Sequence, residues 1–186
     1  MAGFRIEKDV MGSIEVPADS YYGAFTQRAK INFQISGIKA HKEFLIALAV
    51  IKKTAALANM ELKQLDEKIG NAIVKAADEV ISGKFDSYFI LDVYQAGAGT
   101  PFNMNCNEII ANRATELLGG KLGQYIVHPN NHVNMAQSTN DVIPTTTRIA
   151  ILTLAKNLAI ESKFFEDSLR NKAKQFNLIL KVGRTH

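Results

Sequence analysis

Apolar residues change their spacing along the chain, from short extended segments at the start to helical spacing afterwards. Phe4–Asp9 and Ser13–Pro17 are two short extended segments joined around Gly12, and this pattern predicts a small β-hairpin. Helical spacing then predicts one helix over residues 42–59 and a second over 66–82, which stops at Gly83. The apolar positions of the first helix are Leu45, Leu48, Ile51, Ala55 and Leu57.

A third helix is predicted from Pro101 to about Leu118, with Thr100 as its N-cap. Proline is well tolerated in the first helical turn, where its missing N–H would have no intrahelical partner. Gly119 and Gly120 end this helix, and residues 121–131 are predicted to form a loop.

The last predicted helix is long and begins in the polar cluster around Asp141, with Pro144 in its first turn. Its apolar positions run from Ile143 to Phe176, about 35 residues or about 50 Å at 1.5 Å per residue. One helix cannot bury such a stripe by itself, so we expect partner helices from other chains, from a longer protein, or from both.

Composition narrows the classes of protein that fit. The chain has 47% hydrophobic residues and a net charge of +4, which is typical of a globular protein. Its single cysteine, Cys106, excludes an internal disulfide and a cysteine-based zinc site, and favours the cytoplasm. His128 and His132 are interrupted by Pro129 and are not expected on one helix face, so we predict no metal site.

The same sequence argues against two kinds of partner. Lysines and arginines are scattered rather than clustered with aromatic residues, so no nucleic acid is expected. The longest apolar run, Phe44 to Ile51, is far below the ~20 residues of a membrane span, and the N-terminus has no signal-peptide pattern.

Four polar clusters are candidates for chemistry, and each also has a structural explanation. Gly97–Thr100 is either a flexible turn or an anion site at a helix N-terminus. The second cluster contains Asn103, Asn105 and Asn107. It has three alternative explanations: buried amides that join helices, a solvated helix face, or groups that bind a ligand. Residues 134–141 contain more polar side chains than one helix cap needs, and residues 184–186 end the chain with Arg-Thr-His.

Taken in order, these clusters resemble the aspartase/fumarase superfamily, and the resemblance covers essentially the whole chain. The matching motifs are Gly97-Ala98-Gly99-Thr100, Asn103-Met104-Asn105-x-Asn107-Glu108, Asn134-x-x-Gln137-Ser138-Thr139-Asn140-Asp141-x-x-Pro144-Thr145 and Gly183-Arg184-Thr185-His186. The resemblance implies a mainly α fold: the N-terminal helical domain of the superfamily with a small β-hairpin, followed by the first long helix of its central bundle. It thereby implies two domains, 1–140 and a truncated 141–186.

Within the superfamily, the sequence is most similar to the aspartate ammonia-lyases. Gln95-Ala96-Gly97-Ala98-Gly99-Thr100 and Ser138-Thr139-Asn140 carry that similarity. The block His128–His132 instead resembles class II fumarases, with Asn131 where those proteins usually have Asp. A fumarate hydratase and a catalytically silent fragment therefore stay open as alternatives.

The resemblance implies elimination of ammonia from L-aspartate to give fumarate, without a cofactor or metal. By motif, Thr100, Ser138 and Thr139 would hold the β-carboxylate of the substrate. The donors would stabilise an enediolate formed when the proton leaves Cβ.

At the other end of the substrate, Thr185 would hold the α-carboxylate, while Asn140 and His186 would face the amino group, with His186 as the candidate catalytic residue. The catalytic base in the superfamily is a Ser on a Gly-Ser-Ser-x-x-Pro-x-Lys-x-Asn loop, which residues 1–186 do not contain. We therefore expect residues 1–186 alone to be inactive, and the full-length protein to be a homotetramer.

Overall fold

The computed structural model describes residues 3–183 and divides the chain into two compact units, Met1–Ala150 and Ile151–His186. The first unit opens with an antiparallel hairpin of β1 (Phe4–Asp9) and β2 (Gly12–Pro17). Gly12 has a φ of 112°, a conformation that glycine adopts without strain, and it pairs with Asp9 where the chain reverses. The predicted hairpin is confirmed.

Helices make up most of the described residues, and the predicted mainly α architecture is confirmed. The helices are α1 (Ala24–Asn32), α2 (Lys42–Glu61), α3 (Glu67–Ile81), α4 (Thr100–Leu117) and α5 (Thr139–Phe176). A 3₁₀ turn at Asp86–Tyr88 and a π-helical turn at Pro129–Val133 complete the set. The predicted loop over 121–131 is therefore wrong at its end, because Pro129 begins a helical turn.

Local capping chemistry explains where two of these helices begin. The Asp66 carboxylate accepts hydrogen bonds from the N–H groups of Lys68 and Ile69, at 2.9 and 3.1 Å, and so caps α3. The N-cap of α4 is Gly99 rather than Thr100. Gly99 has a φ of 73°, which glycine accepts at low cost, so the helix starts one residue earlier than predicted and the Thr100 hydroxyl is not used as a cap.

The core of the first unit forms where α2, α3 and α4 pack together. Leu48, Ile73, Ile109 and Ile110 are fully buried there. The predicted apolar stripe of α2 is wrong at Leu57, which is 46% exposed. The buried face of α2 instead continues through Lys52, Ala56 and Asn59.

The N-terminus of α1 is capped by two carboxylates from other parts of the first unit. Glu108 of α4 accepts hydrogen bonds from the N–H groups of Gly23, Phe25 and Thr26, and Glu7 of β1 accepts one from Ala24. These four N–H groups have no partner within the helix itself, so buried carboxylates satisfy all of them. The caps fix α1 against both the hairpin and α4.

In the second unit, the residues that continue α5 expose a long row of large apolar side chains. Leu158, Phe165, Leu169 and Phe176 are each 50% exposed or more. Among the described residues, every helix is too short or too polar to cross a membrane. The division of the chain into domains at residue 140 stays a prediction.

Candidate carboxylate-binding site

The site begins where the N-termini of α4 and α5 meet. A Cβ atom on Gly99 would lie 3.0–3.3 Å from three side-chain carbons of Ile143, so glycine permits this close approach. One turn into α4, the Asn103 Nδ2 donates a hydrogen bond to the Thr139 Oγ1 at 3.1 Å. The structure therefore brings the start of α4, with Thr100, against the segment that carries Ser138, Thr139 and Asn140.

Ser138 is the residue that caps α5, as the surplus of capping residues led us to expect of one of them. Its carbonyl accepts hydrogen bonds from the N–H groups of Asp141 and Val142, at 3.1 and 3.0 Å. Its hydroxyl oxygen accepts a hydrogen bond from the Asn140 N–H at 3.3 Å. The Thr139 hydroxyl oxygen also accepts a hydrogen bond, from Asn103. Each hydroxyl therefore keeps its own proton available for donation to a ligand.

Thr100 and Asn140 complete the donor set that the structure describes. Within residues 3–183, neither the Thr100 hydroxyl nor the side-chain amide of Asn140 makes a hydrogen bond, and the Asn140 side chain is exposed. A helix N-terminus with several free donors suits an anionic group, because the backbone N–H groups carry partial positive charge.

A buried network of amides lies behind these hydroxyls. The Asn134 Oδ1 accepts hydrogen bonds from Lys52 Nζ at 2.9 Å, Asn103 Nδ2 at 3.1 Å and Asn107 Nδ2 at 3.2 Å. The Gln137 Oε1 accepts a second bond from Lys52, at 2.8 Å. Asn103 and Asn107 share a helix face as predicted. Of the alternatives stated above, the structure shows that these two residues are buried amides that join elements through hydrogen bonds.

Lys52 is the member of this network that the sequence reasoning missed. It is fully buried in α2, and burial lowers the pKa of its ammonium group to about 8. Its position carried a signal, because Lys52 lies four residues after Leu48 and four before Ala56, so its neighbours on that face of the helix are apolar. A lysine on a buried helix face indicates polar or charged partners inside the protein, because an ammonium group without them is costly to bury.

The two histidines near the site are occupied by backbone contacts. The His128 Nδ1 accepts hydrogen bonds from the N–H groups of Asn130 and Asn131, and the His132 Nδ1 accepts one from the His128 N–H at 2.9 Å. Burial, followed by the charge of His128, lowers the pKa of His132. No cluster of three metal-ligating residues occurs in the part of the chain that the structure describes.

A cavity of about 720 Å³ opens beside the start of α4. Ala96, Thr100, Pro101 and Met104 contribute to its lining, together with residues from the hairpin, α1 and the His128–Asn130 turn. Thr100 is therefore the proposed donor that borders this cavity, and Ser138, Thr139 and Asn140 do not line it. The remaining predicted site residues, Thr185 and His186, lie outside the described residues.

Comparisons with known proteins agree with the resemblance. The model of a lyase family matches residues 12–186. The chain is 52% identical over 183 residues to an aspartate ammonia-lyase of Bacillus sp, and 50% identical over 184 residues to a class II fumarate hydratase of Halobacterium salinarum. Each match covers 98% of the chain and 39% of the relative, so the chain spans about two fifths of the length of these relatives.

The fold has a solved counterpart. The structure superimposes with a TM-score of 0.92 on the native crystal structure of a fumarate lyase:delta crystallin from Brucella melitensis, at 43% identity. That match covers 99% of this chain and 44% of the other.

Proposed function

The chain belongs to the lyase family, as a member of the aspartase/fumarase superfamily. We propose that the full-length protein eliminates ammonia from L-aspartate to give fumarate. The observation that carries the proposal is the arrangement at the start of α5. The Ser138 and Thr139 hydroxyls each accept a hydrogen bond from the protein and each retain a proton to donate. Thr100 adds a third hydroxyl from the start of the neighbouring helix α4.

These donors suit the difficult step of the reaction. Removing a proton from Cβ of aspartate leaves an enediolate in which the β-carboxylate carries two negative charges. Hydroxyl protons and the N–H groups at a helix N-terminus stabilise that dianion more strongly than the substrate carboxylate, and this difference accelerates the step. In the proposal, Thr100, Ser138 and Thr139 hold the β-carboxylate.

The remaining roles follow the superfamily motif. Thr185 would hold the α-carboxylate, and Asn140 and His186 would face the amino group that leaves as ammonia. The Ser that removes the Cβ proton belongs to a loop motif that residues 1–186 do not contain. The proposal therefore expects other segments to complete the site. The superfamily resemblance further implies that the full-length protein is a cytoplasmic homotetramer that needs no cofactor.

A second function has its own support. The block His128–His132 resembles the fumarase form, and the fumarate hydratase of Halobacterium salinarum is nearly as similar as the aspartate ammonia-lyase of Bacillus sp. In that case the same donors would stabilise the dianion formed from malate, and water would leave instead of ammonia.

The decisive experiment is an ultraviolet assay of fumarate formation with L-aspartate and L-malate in parallel, on protein purified from a host that lacks both lyases. Fumarate from aspartate alone supports the ammonia-lyase. Fumarate from malate alone replaces it with the hydratase, and fumarate from neither contradicts both functions.

Residues 1–186 expressed by themselves should form no fumarate, because the motif with the catalytic base is absent from them. The same assay tests this, with the full-length protein as the positive control. Measurable turnover by residues 1–186 would show that the base lies among them.

A further inference from the structure

Lys52 is a buried cation whose partners are neutral. Its side chain is fully buried, and it donates to two amide oxygens, those of Asn134 and Gln137. Among the described residues it forms no ion pair, whereas the adjacent Lys53 binds the Asp78 carboxylate at 2.7 Å. Burying a charge without a counter-charge is costly, so proteins normally pair such a group.

Nearby titratable chemistry does not supply the missing negative charge. The titratable group that interacts with Lys52 is the Cys106 thiol of α4. Burial raises the pKa of that thiol to about 12, so it stays a neutral thiol at physiological pH. The segment on the other side of Lys52 contributes the two neutral amides.

Hydrogen bonds through two intervening amides connect the Lys52 ammonium group to the proposed site. Lys52 reaches Thr139 through three hydrogen bonds in series, by way of Asn134 and Asn103. Its second partner, Gln137, is the residue immediately before Ser138. The ammonium group therefore holds both ends of the turn Asn134–Gln137, which leads directly into Ser138 and Thr139.

The direction of these bonds determines how the Thr139 hydroxyl is used. Three donors converge on the Asn134 Oδ1, so that oxygen must face Lys52 and the Asn103 amide must present its N–H groups. Asn103 then donates to the Thr139 oxygen, which leaves the hydroxyl proton for a ligand. Because Lys52 and Asn103 both donate to the same Asn134 oxygen, the bonds orient the Asn103 amide, and the positive charge of Lys52 attracts an anion through space.

We propose that Lys52 is a positioning residue of the carboxylate-binding site, and that a bound dicarboxylate supplies the negative charge that balances its buried ammonium group. The inference rests on the proposed function, because it needs a dicarboxylate at Ser138 and Thr139. Lys52 does not touch the substrate. Its hydrogen bonds orient Asn134 and Gln137, and through Asn134 they orient Asn103. Its charge acts through space and counts most when the dianion forms.

The kinetic test compares Lys52→Gln, which keeps a hydrogen-bond donor but loses the charge, with Lys53→Gln, which loses a charge at the surface. We expect Lys52→Gln to lower kcat by at least about tenfold and to change KM by less than about threefold, because the dianion needs the charge more than the substrate does. Lys53→Gln should stay within about twofold of the parent protein. Circular dichroism of both variants checks that they are folded.

A second readout uses the unmodified protein and does not depend on a variant that folds. The Nζ resonance of Lys52, followed by nuclear magnetic resonance as pH is raised, reports the pKa of its ammonium group. Saturating fumarate should raise that pKa by roughly half a unit or more, because a bound anion favours the charged form of a nearby amine.

The outcomes separate the two proposals. A parent protein that forms fumarate from neither substrate contradicts the proposed function. An active parent whose Lys52→Gln variant retains kcat within about threefold, or whose Lys52 pKa does not respond to fumarate, overturns the role of Lys52 and leaves the proposed function standing.

Discussion

The hydroxyl groups of Ser138 and Thr139 show how single atoms decide what a polar residue does. Each oxygen already accepts a hydrogen bond, from Asn140 and Asn103 respectively, so each side chain is available as a donor. A carboxylate accepts and cannot donate, and this makes the pair selective for anions. The sequence contains the hydroxyls, but the direction of the Thr139 bond depends on Asn103, 36 residues away in the chain.

We predict that Thr100→Ala and Ser138→Ala each remove most of the activity of the full-length protein. Each change deletes a donor to the developing dianion, and a loss below about threefold, or roughly 0.7 kcal/mol, would exclude the residue from the site. The measurement is kcat/KM for fumarate formation. Asp66→Ala is the matched control for Ser138, because it removes the cap of α3 away from the site and should leave kcat/KM unchanged.

At the scale of elements, the start of α1 leaves no room for a side chain. A Cβ atom on Gly23 would collide with the Tyr125 hydroxyl and lie 2.7 Å from the Glu7 Oε2. We predict that Gly23→Ala destabilises the protein by about 1–3 kcal/mol, because the two capping carboxylates must move away from the N–H groups that they accept. Thermal unfolding measures this.

The control for that change is Gly97→Ala, since a Cβ atom there would meet nothing within 4 Å. Its melting temperature should match that of the unmodified protein. Equal melting temperatures for the two alanine variants would show that the N-terminus of α1 relaxes freely and that the caps contribute little.

Elements whose signals are local could be predicted, and elements fixed by distant residues could not. The span of α3 was predicted within one residue, because Asp66 and Gly83 mark its ends in the adjacent sequence. The π-helical turn at Pro129–Val133 and the N-cap of α4 at Gly99 depend on backbone conformations that composition does not specify. Lys52 was overlooked because its partners lie 82 and 85 residues further along the chain.

At the scale of the whole molecule, the apolar row in the second unit is the feature that most needs a partner. Leu158 and Phe165 are 68% and 66% exposed, with Leu169 and Phe176 further along the same helix. Exposed apolar surface of this extent is typical of an interface between helices. The proposed homotetramer would bury it against other copies.

We therefore predict that the protein associates in solution, and that Leu158→Lys together with Phe165→Lys weakens that association. Light scattering gives the mass of each species. Asn157→Lys adds a charge at an exposed polar position beside Leu158 and should leave the mass unchanged. A stable monomer for the unmodified protein would contradict the assignment of α5 to a helical bundle.

The carboxylates that cap α1 also have a consequence for synthesis on the ribosome. Gly23 leaves the ribosome 85 residues before Glu108, its capping partner. At about 5–20 residues per second, the two are separated by roughly 4–17 seconds. During that interval the hairpin can close, since its strands are adjacent in the chain. The N–H groups of Gly23, Phe25 and Thr26 have no Glu108 carboxylate to bind until α4 has been synthesised. The N-terminus of α1 can therefore be fully capped only after α4 has been translated.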